Sequence, residues 1–397
     1  MINEKNFKEE LESREWREFK FTDVFDIKGG FYNKKPPKEE NGKIPFLGAI
    51  DNTNGIAEFY SYENILKNSK TGDANNEPIE RKLFNGNSIC VTNNGSVGHA
   101  YYQNHEFTCS HDVNPLYLKN YNLNSILAKF IITTIEKQRV CFRYIHKWRP
   151  SRMRKSKILL PVTASGEIDY NFMESFIQKL ENTKLDEYKE YAKKRVNEIL
   201  FSKKIENIKL EKKEWKVFKI KDLFTSVQRG KRLTKENQIA GKVPYISSSA
   251  MNNGVDNYIS NENKVRRFSN CLSLANSGSV GSCFYEPFEF VASDHITHLK
   301  NEDRNKYSYL FEATMLNRLS EKYNFNREIN DDRISTEVII LPTTPAGEPD
   351  YLYMESYIKE IMLRKYNEYL NYKKVDSDAY QNHREEYLMV AENEGLA

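Results

Sequence analysis

A chain of 397 residues, 39 % apolar and 13 % aromatic, carries enough core-forming side chains for two or three folded domains, which excludes a disordered polymer. It is too polar for a membrane protein, and its strongest apolar run, Lys157-Ile158-Leu159-Leu160-Pro161-Val162, is the size of a strand rather than of a bilayer span. The net charge of +4 names no partner, so the distribution of charge has to carry that argument.

Met1-Ile2-Asn3-Glu4-Lys5 lacks the apolar stretch of a secretion signal, and residues 1–14 read as an N-terminal arm. Residues 15–168 form a strand-rich mixed domain. In it, Ile44-Pro45-Phe46-Leu47 and Ile56-Ala57-Glu58-Phe59-Tyr60 flank an Asn52-Thr53-Asn54-Gly55 turn. Ile89-Cys90-Val91-Thr92 and Ala100-Tyr101-Tyr102 flank Gly95-Ser96-Val97-Gly98 in the same way. Asn124 to Gln138 predicts a helix. From Asp169 apolar residues recur every three to four positions (Phe172/Met173, Phe176/Ile177, Leu180, Leu185, Tyr188, Val196), an amphipathic helix over 169–201 of about 45 Å at 1.5 Å per residue. A charged linker spans 202–213. A second strand-rich domain follows over 214–349, then a second long helix over 350–375 and a polar tail over 376–397. The fold class is therefore α+β, and two helices of this length predict an antiparallel pair, since neither can hide its stripe on itself. The five cysteines, Cys90, Cys109, Cys141, Cys271 and Cys283, contain no Cys-x-x-Cys pair; they read as reduced core thiols of a cytoplasmic protein, without zinc or disulfides.

The two halves are copies. Glu15-Trp16, Phe19-Lys20, Asp23 and Phe25 return 199 residues on as Glu214-Trp215, Phe218-Lys219, Asp222 and Phe224. Gly42-Lys43, Pro45 and Asn54-Gly55 return as Gly241-Lys242, Pro244 and Asn253-Gly254; Asn93 and Gly95-Ser96-Val97-Gly98 return as Asn276 and Gly278-Ser279-Val280-Gly281. Leu160-Pro161, Gly166-Glu167, Asp169-Tyr170 and Met173-Glu174-Ser175 return as Leu341-Pro342, Gly347-Glu348, Asp350-Tyr351 and Met354-Glu355-Ser356. A period near half the chain means one domain present twice.

Enzyme signatures are scarce: the sequence has no phosphate-binding Gly-x4-Gly-Lys-Ser/Thr, His-Glu-x-x-His, Gly-x-Ser-x-Gly or Asn/Asp-Pro-Pro-Tyr/Phe motif. The Gly-Ser-Val-Gly segments read as tight turns before they read as phosphate cradles. His111-Asp112 is inverted as Asp294-His295, which argues against fixed catalytic geometry and for a buried polar pair or base-reading side chains. The main functional signal is 138–157, where Arg139, Arg143, Lys147, Arg149, Arg152, Arg154, Lys155 and Lys157 occur with Tyr144, His146 and Trp148 and with no acidic residue, as a phosphate backbone and base edges require. In the second copy the corresponding signal is weaker, with Arg327 and Arg333 among Glu328, Asp331 and Asp332; Lys34 and Lys35, Arg229 with Lys231 and Arg232, and Arg266 and Arg267 are further candidate DNA contacts in predicted loops.

Two strand-rich domains, each opened by Glu-Trp-x-x-Phe-Lys-x-x-Asp-x-Phe and joined to a long helix through Leu-Pro-x4-Gly-Glu-x-Asp-Tyr-x-x-Met-Glu-Ser, resemble the specificity subunits of Type I restriction–modification systems and the related Type IIB subunits. The resemblance runs from Glu15 to about Tyr372. It implies two target recognition domains, each reading half of a bipartite site in double-stranded DNA, arranged with pseudo-two-fold symmetry. The paired helices would space the half-sites and bind methyltransferase subunits, with a restriction subunit or fused nuclease where present; Phe176, Leu180, Tyr188, Tyr357, Ile361 and Tyr369 on their stripes are the candidate partner contacts. The family's catalysis belongs to partner subunits, and so do S-adenosylmethionine and any Mg2+ or ATP. Because Lys34-Lys35-Pro36-Pro37 differs from Lys231-Arg232-Leu233-Thr234, the expected target is asymmetric. Two other classes stay open: a nuclease or methyltransferase acting alone, and a protein-only scaffold whose helices join two partners.

Overall fold

The computed structural model describes residues 2–73, 77–142, 147–201 and 209–371, and the chain divides into two units, Met1–Tyr188 and Lys189–Ala397. Arg143, with Tyr144 and His146, lies outside the described residues, as do most of the charged linker and the C-terminal tail.

The first unit opens with a helix, Ile2–Glu12, where the sequence suggested only an arm; its Phe7 meets Phe176 edge-on at 5.6 Å. A two-stranded antiparallel ribbon pairs Trp16–Lys20 with Lys157–Pro161. A four-stranded antiparallel sheet follows in the order Phe25–Ile27, Val113–Leu118, Ser88–Thr92, Ala100–Gln103. A smaller sheet pairs Ile44–Leu47 antiparallel with Ile56–Tyr60 and parallel with Thr108–Cys109. The helix Ser125–Glu136 packs on the Ala100–Gln103 strand. Asn124 caps it by accepting from the amides of Ile126 (3.0 Å) and Leu127 (2.9 Å), one of the strongest N-terminal signals a sequence can carry.

The second unit repeats this plan. Trp215–Lys219 pairs with Val338–Pro342, and Ser226–Arg229, Ile296–Lys300, Cys271–Ala275 and Cys283–Glu286 form the four-stranded sheet. Asn305 caps the helix Lys306–Asn317. The smaller sheet here has a fourth strand, Arg267–Phe268, on the outer side of Phe290–Ala292.

The repeated motifs are joints. Met173 and Met354 are fully buried under their helices. Glu174 accepts from the Asn124 amide (2.6 Å) and Glu355 from Asn305 (2.6 Å), so each Met-Glu-Ser ties a long helix to the cap of the short one. The indole of Trp16 donates to the carbonyl of Leu11 (3.0 Å) and that of Trp215 to Leu210 (3.5 Å), so the copied geometry begins before the copied residues quoted above.

The first long helix runs Tyr170–Phe201. Asp169 caps it through the Phe172 amide (2.9 Å), and Asp350 caps the helix at 351–371 through the Tyr353 amide (3.0 Å). The last turns of the first helix belong to the second unit. There Tyr191 meets Tyr366 at 6.3 Å, while Arg195 and Glu198, further along, act on Lys306, which lies beside Tyr307 and Lys359. Rising numbers in these last turns match falling numbers in the helix at 351–371, so within the second unit the two segments run antiparallel. One partner contact is corrected: Phe176 is buried, packed on Phe7, Phe130 and Phe172, because it fills the first unit's own core. Tyr188 is exposed, and Leu180, Tyr357, Ile361 and Tyr369 are half-buried, with Tyr357 against Phe311 at 5.8 Å. Cys90, Cys109, Cys271 and Cys283 are buried free thiols; Cys141 is exposed. No helix among the described residues is long and apolar enough to cross a membrane.

Candidate nucleic-acid interface

Three turns converge at one rim of the first unit. The Leu47–Gly55 turn, the Gly-Ser-Val-Gly turn and the turn after Cys109 are locked by backbone bonds: Gly48 N to Gly55 O (2.9 Å), Ser110 N to Leu47 O (2.9 Å) and Asn93 N to Asp112 O (2.7 Å). The second unit repeats each one: Ser247 N to Gly254 O (2.9 Å), Ser293 N to Ile246 O (3.0 Å) and Asn276 N to His295 O (3.0 Å). Asn54 and Asn253 sit at φ 53° and 52°, a left-handed conformation that Asn tolerates better than most residues. Gly98 and Gly281 have φ of 81° and 88°, and a Cβ there would strike the Arg139 side chain and the Ser320 backbone. The Gly-Ser-Val-Gly segments are thus turns between antiparallel strands.

The side chains on this common frame differ. In the first unit the Asn94 amide donates to Asp112 Oδ1 (3.0 Å), which also lies 3.2 Å from His111 Nε2. In the second, the Ser277 hydroxyl meets His295 Nδ1, and Asp294 lies 4.0 Å from the other ring nitrogen. Beneath them, Asn93 bonds Asn114 and Asn276 bonds Thr297, both at 3.1 Å, which fixes each turn to the four-stranded sheet.

Cationic residues border the rim. In the second unit Lys231 N donates to Ala292 O (3.1 Å), Ala292 N to Arg266 O (3.2 Å), and the Arg266 guanidinium to Arg229 O, so clusters far apart in sequence meet at the strand leading into Asp294-His295. Arg229, Arg266 and Asp331 line a cleft of about 340 Å³. Arg229 pairs with Asp331 (3.2 Å) and Arg267 with Glu289 (2.7 Å), so part of this charge is compensated. Arg232 is exposed, Arg333 donates to the Glu328 carbonyl, and Arg327 stands 5.2 Å over Tyr323 at a tight turn, after which Ile329 N donates to the Asn276 carbonyl (2.9 Å).

In the first unit Tyr32 accepts from His111 N (2.8 Å), which places Lys34 and Lys35 beside the rim; both are exposed, and Lys35 lies 3.7 Å from Glu58. The basic segment folds into a short helix, Pro150–Met153, with Arg149 at its cap. Arg149, Arg152 and Arg154 are exposed, while Lys147 is half-buried and its carbonyl accepts from Arg152 (3.0 Å). Met153 beneath them touches Asn114. Among the described residues Arg149 and Arg154 make no ion pair. Trp148, grouped with these cations in the sequence reading, is corrected: it is fully buried, stacked on Phe142 at 4.5 Å, with its indole donating to Ser156 (2.9 Å). The sequence singles out His111-Asp112 and Asp294-His295 but not the frame of turns that carries them, whose signal is repeated glycines with unlike polar neighbours. Among the described residues, no three His, Cys, Asp or Glu side chains are placed to hold a metal ion.

The chain is similar to the specificity subunit S.BcgI of a Type II restriction enzyme from Heyndrickxia coagulans, 27 % identical over 344 residues, covering 86 % of this chain and 92 % of that one. It is also similar to a putative type I specificity subunit, S.MpnORF507P, from Mycoplasma pneumoniae, at 24 % identity over 310 residues and 75 % and 77 % coverage. Among solved structures, the S subunit of a Type I restriction–modification system from M. genitalium aligns with a TM-score of 0.46 at 16 % identity, covering 92 % and 93 % of the two chains. The HsdS subunit of Thermoanaerobacter tengcongensis gives 0.29 at 11 % identity and 91 % of each. The family described as Type I restriction modification DNA specificity domain matches twice, over residues 13–190 and 212–370, and by that span the chain belongs to it.

Proposed function

We propose that this chain is the sequence-recognition subunit of a cytoplasmic restriction–modification complex, in which each unit reads one half of an asymmetric, bipartite DNA target. The observation that carries the reading is the rim: one backbone frame, made twice, bordered by cations and furnished with different polar side chains. Arg149, Arg152, Arg154, Lys34, Lys231 and Arg232 grip phosphates and fix register, while rim side chains meet base edges in the major groove. The antiparallel helices space the two units and offer Tyr188 and the half-buried Leu180, Tyr357, Ile361 and Tyr369 to methyltransferase subunits. S-adenosylmethionine, and Mg2+ or ATP where cleavage is coupled, are assigned to those partners, and this chain is non-catalytic.

The test is sequencing of methylated adenines in cells carrying this chain with a methyltransferase from its own system, against cells lacking this chain alone. A motif of two unlike half-sites around a fixed gap, lost on deletion, is the expected result. Methylation that persists without the chain overturns the reading.

A further inference from the structure

Resting on that reading, we propose that Asp112 and His295 are the specificity-determining residues of one equivalent position in the two units. Asp112 would select a base with an exocyclic amino group, cytosine or adenine, and His295 one with a major-groove acceptor, above all guanine.

The equivalence is geometric. Each residue is bonded through its backbone carbonyl to the asparagine that opens the Gly-Ser-Val-Gly turn, and through its side chain to the following residue, Asn94 or Ser277. Both side chains reach solvent, Asp112 with 24 % of its surface and His295 with 51 %. Their chemistry is opposite. A carboxylate only accepts, whereas the His295 imidazole can donate: in the tautomer we assign, Nδ1 accepts from the Ser277 hydroxyl and the proton sits on Nε2. That Nε2 lies 4.0 Å from Asp294, beyond hydrogen-bond reach, and so remains available to a ligand.

A carboxylate on a surface that approaches phosphates repels the backbone. An amino group of cytosine or adenine offsets that repulsion, whereas guanine O6 and N7 or thymine O4 add to it. His295 has the reverse preference, since it donates to N7 or O6 of guanine. The neighbours orient these groups: Asn94 and His111 hold Asp112 from two sides, and Ser277 holds the His295 ring.

The experiment is a reciprocal exchange in the full chain, Asp112→His and His295→Asp, each co-expressed with the methyltransferase and read by methylated-adenine sequencing. Each variant is expected to change one base position in one half-site, by roughly ten- to a hundredfold in preference, and to leave the other half-site unchanged. An unaltered motif with methylation retained overturns the proposal. Where an exchange abolishes methylation, Asp112→Asn and His295→Gln are assayed for binding to randomised duplexes; unchanged base preference again overturns it. Replacing guanine by 7-deazaguanine in the second half-site should weaken binding of the parent complex and leave the His295→Asp complex indifferent. A parent motif that is not split would instead remove the underlying reading, which separates the two failures.

Discussion

Between the short helix and the four-stranded sheet, the two units solve the same packing problem with opposite chemistry. Seven residues after the cap Asn124 stands Ile131, and seven after Asn305 stands Glu312; immediately before the caps stand Leu123 and Arg304. All are buried or nearly so. The first unit fills this space with an apolar pair beside the stacked rings of Tyr121 and Tyr170, 4.4 Å apart. The second uses Arg304 3.6 Å from Glu312, with the guanidinium 3.3 Å over Tyr351. A second exchange lies at the end of the neighbouring strand, where Gln103 is replaced by buried Glu286. One fold therefore accepts either solution, which fits the general finding that a buried ion pair adds little stability over apolar packing but is costly to leave half-made.

The sharpest way to break this comparison is Glu312→Ile alone, which copies the first unit's residue but strands Arg304. Above about pH 8, where Glu312 is ionised, it should destabilise the second unit by about 3–5 kcal/mol, read by hydrogen exchange unit by unit. Adding Arg304→Leu should bring stability back to the parent's or above it; if the double variant stays as weak as the single, the two units are not interchangeable here. In the first unit, Trp148→Ala removes a fully buried indole together with its stack on Phe142, at a cost of about 3–5 kcal/mol. The milder Trp148→Phe should keep the folded unit and its target preference; a changed half-site would return Trp148 to the DNA-reading set.

The same exchange separates the units by pH. Burial pushes the Glu312 carboxyl up to about 8, against the opposing pull of Arg304, and pushes Glu286 up to about 7. An acid whose folded pKa lies above its unfolded value of 4.5 favours folding while protonated. That contribution is whole below about pH 4.5 and is lost as pH rises through about 7 and then about 8. Exchange protection in the second unit should therefore fall between pH 5 and 9, by less than the truncations cost, since relaxation and water entry soften the burial penalty. Glu312→Gln should flatten the upper part of that fall, and an unchanged profile would mean that Glu312 does not titrate as its burial implies.

Local chemistry made much of this legible. The strand–turn–strand segments at Ile44–Tyr60 and Ser88–Gln103 and the helix after Asn124 follow from alternation, turn residues and a cap, all read over a few neighbouring positions. What escaped depends on distant partners. Trp148 looked like part of a cationic face because its sequence neighbours are cationic, but Phe21, Phe142 and Ser156 enclose it. Lys35, Arg229 and Arg267 pair with Glu58, Asp331 and Glu289, each 22 or more residues away and beyond any local reading of charge. Phe176 satisfied the helix period, yet periodicity says only that a side is covered, and here the cover is this chain's own core.

The long-helix caps give the smallest and cleanest contrast. Asp169 and Asp350 make the same cap bond, and removing a capping side chain costs about 1 kcal/mol. Their second partners differ: Asp169 lies 3.6 Å from Arg14, a largely open side chain, whereas Asp350 holds Lys213, which is mostly buried over the Tyr353 ring. Asp169→Ala should cost the cap alone, because Arg14 can turn to water. Asp350→Ala also leaves an ammonium without its counter-ion in a place water reaches poorly, so it should cost about 1 kcal/mol more. Lys213→Met in the Asp350→Ala background should recover that excess and leave the cap loss. Equal costs at the two aspartates would mean that the cap, and not the buried ion pair, sets the strength of both joints.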